Sequence, residues 1–271
     1  MSLVVSLRIP DGIVIAADSL STMSSKLDIT GDLQTRCPHC DESFDIKDLK
    51  LPPIPVPSST MSFTEKLIPF HDRYAVGFVG KGILADKTLA YHVRKLENTS
   101  HASDFSGVSE VADAVGSHLQ EQLQQDISDL QDAADDFAPV GTQIVGYDSE
   151  QAKTVQLHIG KNVVREEHVN MGCHVLGDNA CVKHIWEGST ARQTVPLPNF
   201  AAFSLQDAVE YAELLIDLTA RLQRFSPMLP TVGGDVDIAL ITEFQGFTWV
   251  KSKRFTRLLY DRVGEKENGD H

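Results

Sequence analysis

The chain has 271 residues, 42% of them hydrophobic and 23% charged, with a formal net charge of -14. That suits one sizeable domain with its own core, and it argues against nucleic-acid binding, because phosphate contacts need clustered Lys and Arg. No apolar run reaches membrane-spanning length, no signal peptide precedes the first strand, and four cysteines form no disulfide framework; a cytoplasmic chain with no membrane partner is expected.

The chain opens on two β-branched runs, Leu3–Ile9 and Ile13–Ala17, around Pro10-Asp11-Gly12. Pro presets φ and Gly accepts the positive φ of a tight turn, so the spacing predicts a hairpin. The second run is apolar on both faces and predicts a sheet covered on both sides. Ser2 stands directly before this hairpin. Removal of Met1 would leave Ser2 with a free α-amine and a hydroxyl, a base and a nucleophile in one residue. The plain alternative is a small residue at a start site.

From Leu20 to Glu65 no period persists, and Gly, Pro, Ser and Asp dominate. The Leu51–Pro57 stretch predicts extended, polyproline-like chain. Cys37-Pro-His-Cys40 has the spacing of half a zinc ribbon. A complete tetrahedral site needs two more ligands, from His39, His71 or a symmetry mate; otherwise these are two loop cysteines without a role.

Lys66–Phe70 and Tyr74–Gly80 predict a second hairpin turning at His71-Asp72-Arg73. Apolar spacings of three and four predict helices over Gly82–Glu97 and Val108–Leu130. Gly141–Tyr147, Thr154–Ile159 and Val163–Val169 read as strands, and Asn179–Glu187 as a short helix. Ser204-Leu-Gln-Asp207 has capping-box spacing and opens a helix to about Arg224. Asp235–Thr242 and Phe247–Val250 are the last expected strands, and the residues from 253 on form a polar tail. The element order suits an α+β fold, a four-layer αββα sandwich, over residues 1–252 with an insertion at about 20–65.

Three blocks together resemble proteasome β-type subunits, including the bacterial HslV kind. They are Ser2-Leu-Val-Val with Pro10-Asp-Gly-Ile-Val-Ile-Ala-Ala-Asp-Ser19, Lys66 to Gly80, and Gly233-Gly-Asp-Val-Asp-Ile-Ala-Leu-Ile-Thr242. The resemblance covers residues 2–22 and 64–252, and rests on the order and spacing of the blocks. It implies an amino-terminal-nucleophile hydrolase with Ser2 at the catalytic Thr position, Asp18 and Lys66 as the supporting pair, and Gly77 as oxyanion donor. It implies Thr22 as a contact to the substrate backbone. It also implies peptide or unfolded polypeptide as substrate, a stacked-ring homo-oligomer, an ATP-dependent unfoldase as partner, and no cofactor for catalysis. Zinc at Cys37 and Cys40 would be separate.

Taken singly, Asp18 closes a strand, Lys66 is a strand residue and Gly77 marks a bulge or close packing. The chain also departs from the pattern. Serine replaces threonine, Leu176-Gly-Asp-Asn179 lacks the supporting Ser, and Phe225 stands where an Asp before Ser226 is expected. A catalytically silent ring scaffold or peptide-binding module with the same fold is therefore the alternative reading. A noncatalytic α-type subunit would carry an amino-terminal helix ahead of the hairpin.

Overall fold

The computed structural model describes residues 2–27, 34–36, 39–40, 43–45, 54–127, 130, 134–187, 198–226 and 229–253. Met1, Cys37 and the tail from residue 254 lie outside them. The chain divides into two compact units, one of Met1–Ser21 with Ser62–His271, the other of Thr22–Met61.

In chain order the strands begin with β1 (Leu3–Ile9), β2 (Gly12–Ala17), β3 (Ser21–Leu27), β4 (Gln34–Arg36), β5 (Ser43–Asp45) and β6 (Ile54–Met61). Then come β7 (Leu67–Phe70), β8 (Tyr74–Gly80), β9 (Ile83–Leu84) and β10 (Lys87–Thr88), followed by helices α1 (Leu89–Thr99) and α2 (Val108–Asp126). Next are β11 (Val140–Asp148), β12 (Gln151–Ile159), β13 (Val163–His168) and β14 (Gly172–Gly177). The chain continues through α3 (Ala180–Glu187) and α4 (Leu205–Gln223) to β15 (Asp237–Thr242) and β16 (Gly246–Lys251).

The larger unit holds two five-stranded sheets, ordered β14-β1-β2-β15-β16 and β13-β12-β11-β8-β7, each antiparallel throughout. Strand alternation explains why β1 and β2 read as apolar on both faces. Leu3, Val5, Leu7, Val14 and Ala16 pack in one cluster with Ala208, Ala212, Leu215 and Ile216 of α4. Val4, Ile13, Ile15 and Ala17 point the other way, into a cluster with Leu67, Ala75, Val79 and Val145 of the second sheet. A third cluster joins that sheet's Val76, Phe78, Ile144 and Val155 to Val93 of α1 and Val111, Val115 and Leu119 of α2.

Both hairpins form, but Gly12 does not adopt the positive φ expected of it: it opens β2 in ordinary strand backbone, and a Cβ there would stand 2.7 Å from Ile241 O. Pro69 sits on the edge strand β7, at a position whose missing N–H faces away from β8, where a proline removes no ladder bond. Among the described residues, no helix is long and apolar enough to cross a membrane.

Four further expectations need correction. The helix expected from Gly82 begins at Leu89, because Ala85 and Asp86 adopt positive φ (44° and 62°) in a tight β9–β10 turn. Thr88 then caps α1, its hydroxyl accepting from Tyr91 N–H at 3.2 Å. The helix expected to reach Leu130 ends at Asp126, with Ile127 in extended backbone. Gly172–Gly177, not expected as a strand, pairs along β1 from Leu3↔Gly177 to Arg8↔Gly172.

The fourth correction is in the smaller unit, where the described strands pair as β3-β6 and β4-β5. Ile54–Pro57, expected as polyproline-like chain, belongs to β6.

Candidate active site

Asp18, just past the end of β2, is the hub of the amino-terminal region. It is fully buried and accepts from five donor contacts. Its Oδ1 takes Leu3 N–H at 3.0 Å and Lys66 Nζ at 2.9 Å. Its Oδ2 takes Lys66 Nζ at 3.0 Å, Gly233 N–H at 3.0 Å and Leu20 N–H at 3.2 Å. Lys66 Nζ also donates to Leu20 O, which completes its three donors.

One carboxylate oxygen therefore carries both the first amide after Ser2 and the Lys66 ammonium. Burial pushes the Asp18 carboxyl up and the Lys66 ammonium down from their ordinary ranges, the Coulomb attraction between them being the largest opposing force on each.

Ser2 is itself buried. Its carbonyl accepts from Asp178 N–H at 2.8 Å. Gly177, at φ +99°, lies so close that an added Cβ would stand 2.0 Å from that carbonyl oxygen. The Asp178 Oδ2 accepts from Thr231 Oγ1 at 2.6 Å and Gln223 Nε2 at 2.9 Å. The stretch without the expected Ser thus still reaches the Ser2 backbone and ties it to α4. Beside the Asp18 hub lies a cleft of about 400 Å³, bordered by Leu20, Arg221, Arg224, Val232 and Gly233.

Gly77 is placed differently from its expected role. Phe78 N–H donates to Lys66 O at 2.8 Å, and Lys81 N–H donates to Pro139 O at 2.8 Å. Strand amides alternate between sides, so odd-numbered residues of β8 turn their N–H to β11. Gly77 N–H then faces Gln143, its register partner, as part of the ladder. The missing side chain has a separate use: a Cβ at Gly77 would stand 2.7 Å from Val4 Cγ1. Close packing between the sheets accounts for this glycine.

Thr22 is the first residue of the smaller unit and is half-buried. Cys40 is exposed, and its expected partner Cys37 lies outside the described residues. Among the described residues, no group of three or more His, Cys, Asp or Glu is arranged to hold a metal ion.

Sequence reading missed a second buried pair. Lys253 Nζ contacts Asp237 Oδ2 and donates to Thr64 O at 2.8 Å, while Lys253 N–H donates to Asp237 Oδ1 at 2.8 Å. Asp237 carried a faint signal as the acid directly before the apolar run Ile238–Ile241; Lys253, expected to begin the polar tail, is instead buried.

No protein-family model matches the chain, and no curated protein matches it. Solved structures do. An Anbu (Gly-1) mutant from Hyphomicrobium sp. strain MC1 is 15% identical, with a TM-score of 0.54, over 100% of this chain and 98% of that one. Anbu, described as an ancestral beta-subunit, from Yersinia bercovieri is 15% identical, with a TM-score of 0.54, over 98% of this chain and 93% of that one. At this identity the likeness concerns the fold: the chain has a proteasome-like, mixed α and β architecture.

Proposed function

We propose that the chain is a proteasome-like peptidase subunit, a four-layer αββα sandwich that self-assembles and cleaves peptide bonds through Ser2 once Met1 is removed. The observation that carries this reading is the Asp18–Lys66 pair, buried against the first amide after Ser2. A buried ammonium costs several kcal/mol unless it is paired, so a pair spent here in the core suits a site more than a strut.

In this reading the α-amine takes the proton of the Ser2 hydroxyl as Oγ attacks the substrate carbonyl carbon. The amine returns that proton to the departing nitrogen as the C–N bond breaks. Water then adds to the Ser2 ester, and the acid product leaves with Oγ protonated again. Lys66 lowers the cost of the alkoxide by its charge, and Asp18 keeps Lys66 charged and in place. No cofactor enters these steps.

The reading extends to a homo-oligomer, in keeping with the beta-subunit description of the Yersinia protein. It also includes a peptide or unfolded polypeptide substrate, an ATP-dependent unfoldase as its supplier, and a cytoplasmic location suited to few cysteines. Zinc at Cys37 and Cys40 is a separate proposal, tested by metal stoichiometry.

The second reading, a silent ring scaffold or peptide-binding module, is favoured by one observation. The Gly77 N–H lies on the ladder side of β8, so oxyanion stabilisation has to come from another donor or from a local change of register. Intact-mass spectrometry with an epoxyketone decides between the readings, because that warhead needs a hydroxyl and a free α-amine on one residue. Loss of Met1 and a single adduct on Ser2 are expected. Processed protein that never forms the adduct overturns the peptidase reading.

A further inference from the structure

The Asp18–Lys66 pair does not stand alone. Asp237 is the register partner of Ala17, so it shares that residue's face, the one turned to the second sheet. Asp18 follows Ala17 directly, just past the end of β2. Asp18, Asp237, Lys66 and Lys253 are 0%, 2%, 4% and 6% exposed, a buried quartet of two acids and two ammoniums.

The two pairs are joined through backbone as well as charge. Lys253 Nζ holds the carbonyl of Thr64, two residues before Lys66. Thr64 N–H donates to Ser19 O at 3.0 Å, next to Asp18, and the Lys66 carbonyl is held by Phe78 N–H. The Thr64–Lys66 backbone is therefore held by three hydrogen bonds, and Lys253 supplies the one side-chain donor among those three; Arg94 holds the Glu65 carboxylate separately, on the exposed side.

We propose that Lys253, anchored by Asp237, is a positioning residue that fixes the Lys66 ammonium against Asp18 and sets how readily Lys66 carries its proton. The inference rests on the peptidase reading for its purpose, though its geometry does not. The charged groups facing Lys66 are Asp18 directly, and Lys253 with Asp237 behind it. The Lys253 charge lowers the hold of Lys66 on its proton, as a like charge at close range must. Taking that charge away leaves Asp237 buried and uncompensated, and both changes favour protonated Lys66.

The test follows Lys66 itself. The full-length protein is made with lysine carrying ¹³C at Cε, and the Lys66 resonance is assigned by its loss in Lys66→Met. In Lys253→Met the Lys66 titration midpoint should rise by about half a pH unit or more. The pH at half-maximal rate of epoxyketone labelling at Ser2 should move with it, and Lys253→Arg should restore both. If Lys253→Met does not fold, Asp237→Asn/Lys253→Met removes the two charges together. Its Lys66 midpoint should still differ from that of the unaltered protein.

An unchanged midpoint in a folded variant overturns the positioning role. If unaltered protein never labels Ser2, the peptidase reading falls while the lysine titration still decides the positioning.

Discussion

Two single residues separate a chemical role from a packing role. Asp18 has no spare capacity: each oxygen already serves two or three donors, and one is a buried ammonium. Asp18→Asn keeps the shape but leaves Lys66 uncompensated, and removing one partner of such a pair costs about 3–5 kcal/mol. Asp18→Asn/Lys66→Met should recover part of that loss, measured by urea denaturation; equal losses in the single and double variants would show that the two charges are not coupled. Gly77→Ala is the contrasting case. Its methyl meets Val4 Cγ1 at 2.7 Å, and overpacking of this kind costs about 1–3 kcal/mol. Val4→Ala in the same chain should return most of that stability. A Gly77→Ala protein that is fully stable yet no longer labels at Ser2 would instead mark this position as chemical.

At the scale of elements, the contact between β13 and β14 should make stability depend on pH. His168 and His174 stack with ring centroids 4.1 Å apart and planes 15° from parallel, joining an edge strand of each sheet. Neither Nε2 has a hydrogen-bond partner among the described residues. Burial, then the neighbouring His168 and Arg8, push His174 down to about 4. Unfolded, the same group takes its proton near 6.5, so between those values the unfolded chain binds more protons. The stability from a neutral His174 is fully present above pH 6.5 and is lost as pH falls towards 4. The shift corresponds to about 3 kcal/mol at most. His174→Phe keeps a stacked ring and should flatten this part of the stability–pH curve; an unchanged slope would place the acid sensitivity elsewhere.

The same strands show what sequence could and could not convey. The two hairpins were legible because Pro10-Asp-Gly12 and His71-Asp-Arg73 separate short apolar runs, and α4 because Ser204 and Asp207 box its first turn. Asp18 and Lys66 were legible only through their spacing within a resemblance. β14 was not legible: four of its six residues are half-buried in pattern, and it is a strand because β1 pairs with it. The direction of the Gly77 amide was equally hidden, since it depends on the three-residue turn that sets the β7–β8 register. Lys253 lies far from Lys66 in sequence, and its meaning comes from tertiary contacts alone.

For the whole molecule, the division into two units makes a separable claim about folding. Within the larger unit, the chain leaves at Ser21 and resumes at Ser62, and these ends are already tied together. Ser19 Oγ donates to Ser62 O at 2.7 Å, and Thr64 N–H donates to Ser19 O. Among the described residues, all three hydrophobic clusters draw on the larger unit. Replacing Thr22–Met61 with about four Gly and Ser residues should therefore keep the fold, since closing a short flexible loop between adjacent ends costs little. Cooperative melting is expected to persist within about 5 °C of the full chain, because no buried apolar side chain of those clusters is removed. The Asp18–Lys66 pair should persist too, as every one of its partners lies outside the excised segment. Loss of the cooperative transition would mean that the larger unit depends on the segment for folding. Persistence of the melt with loss of Ser2 labelling would assign the segment to substrate handling instead, the role that the resemblance gives Thr22.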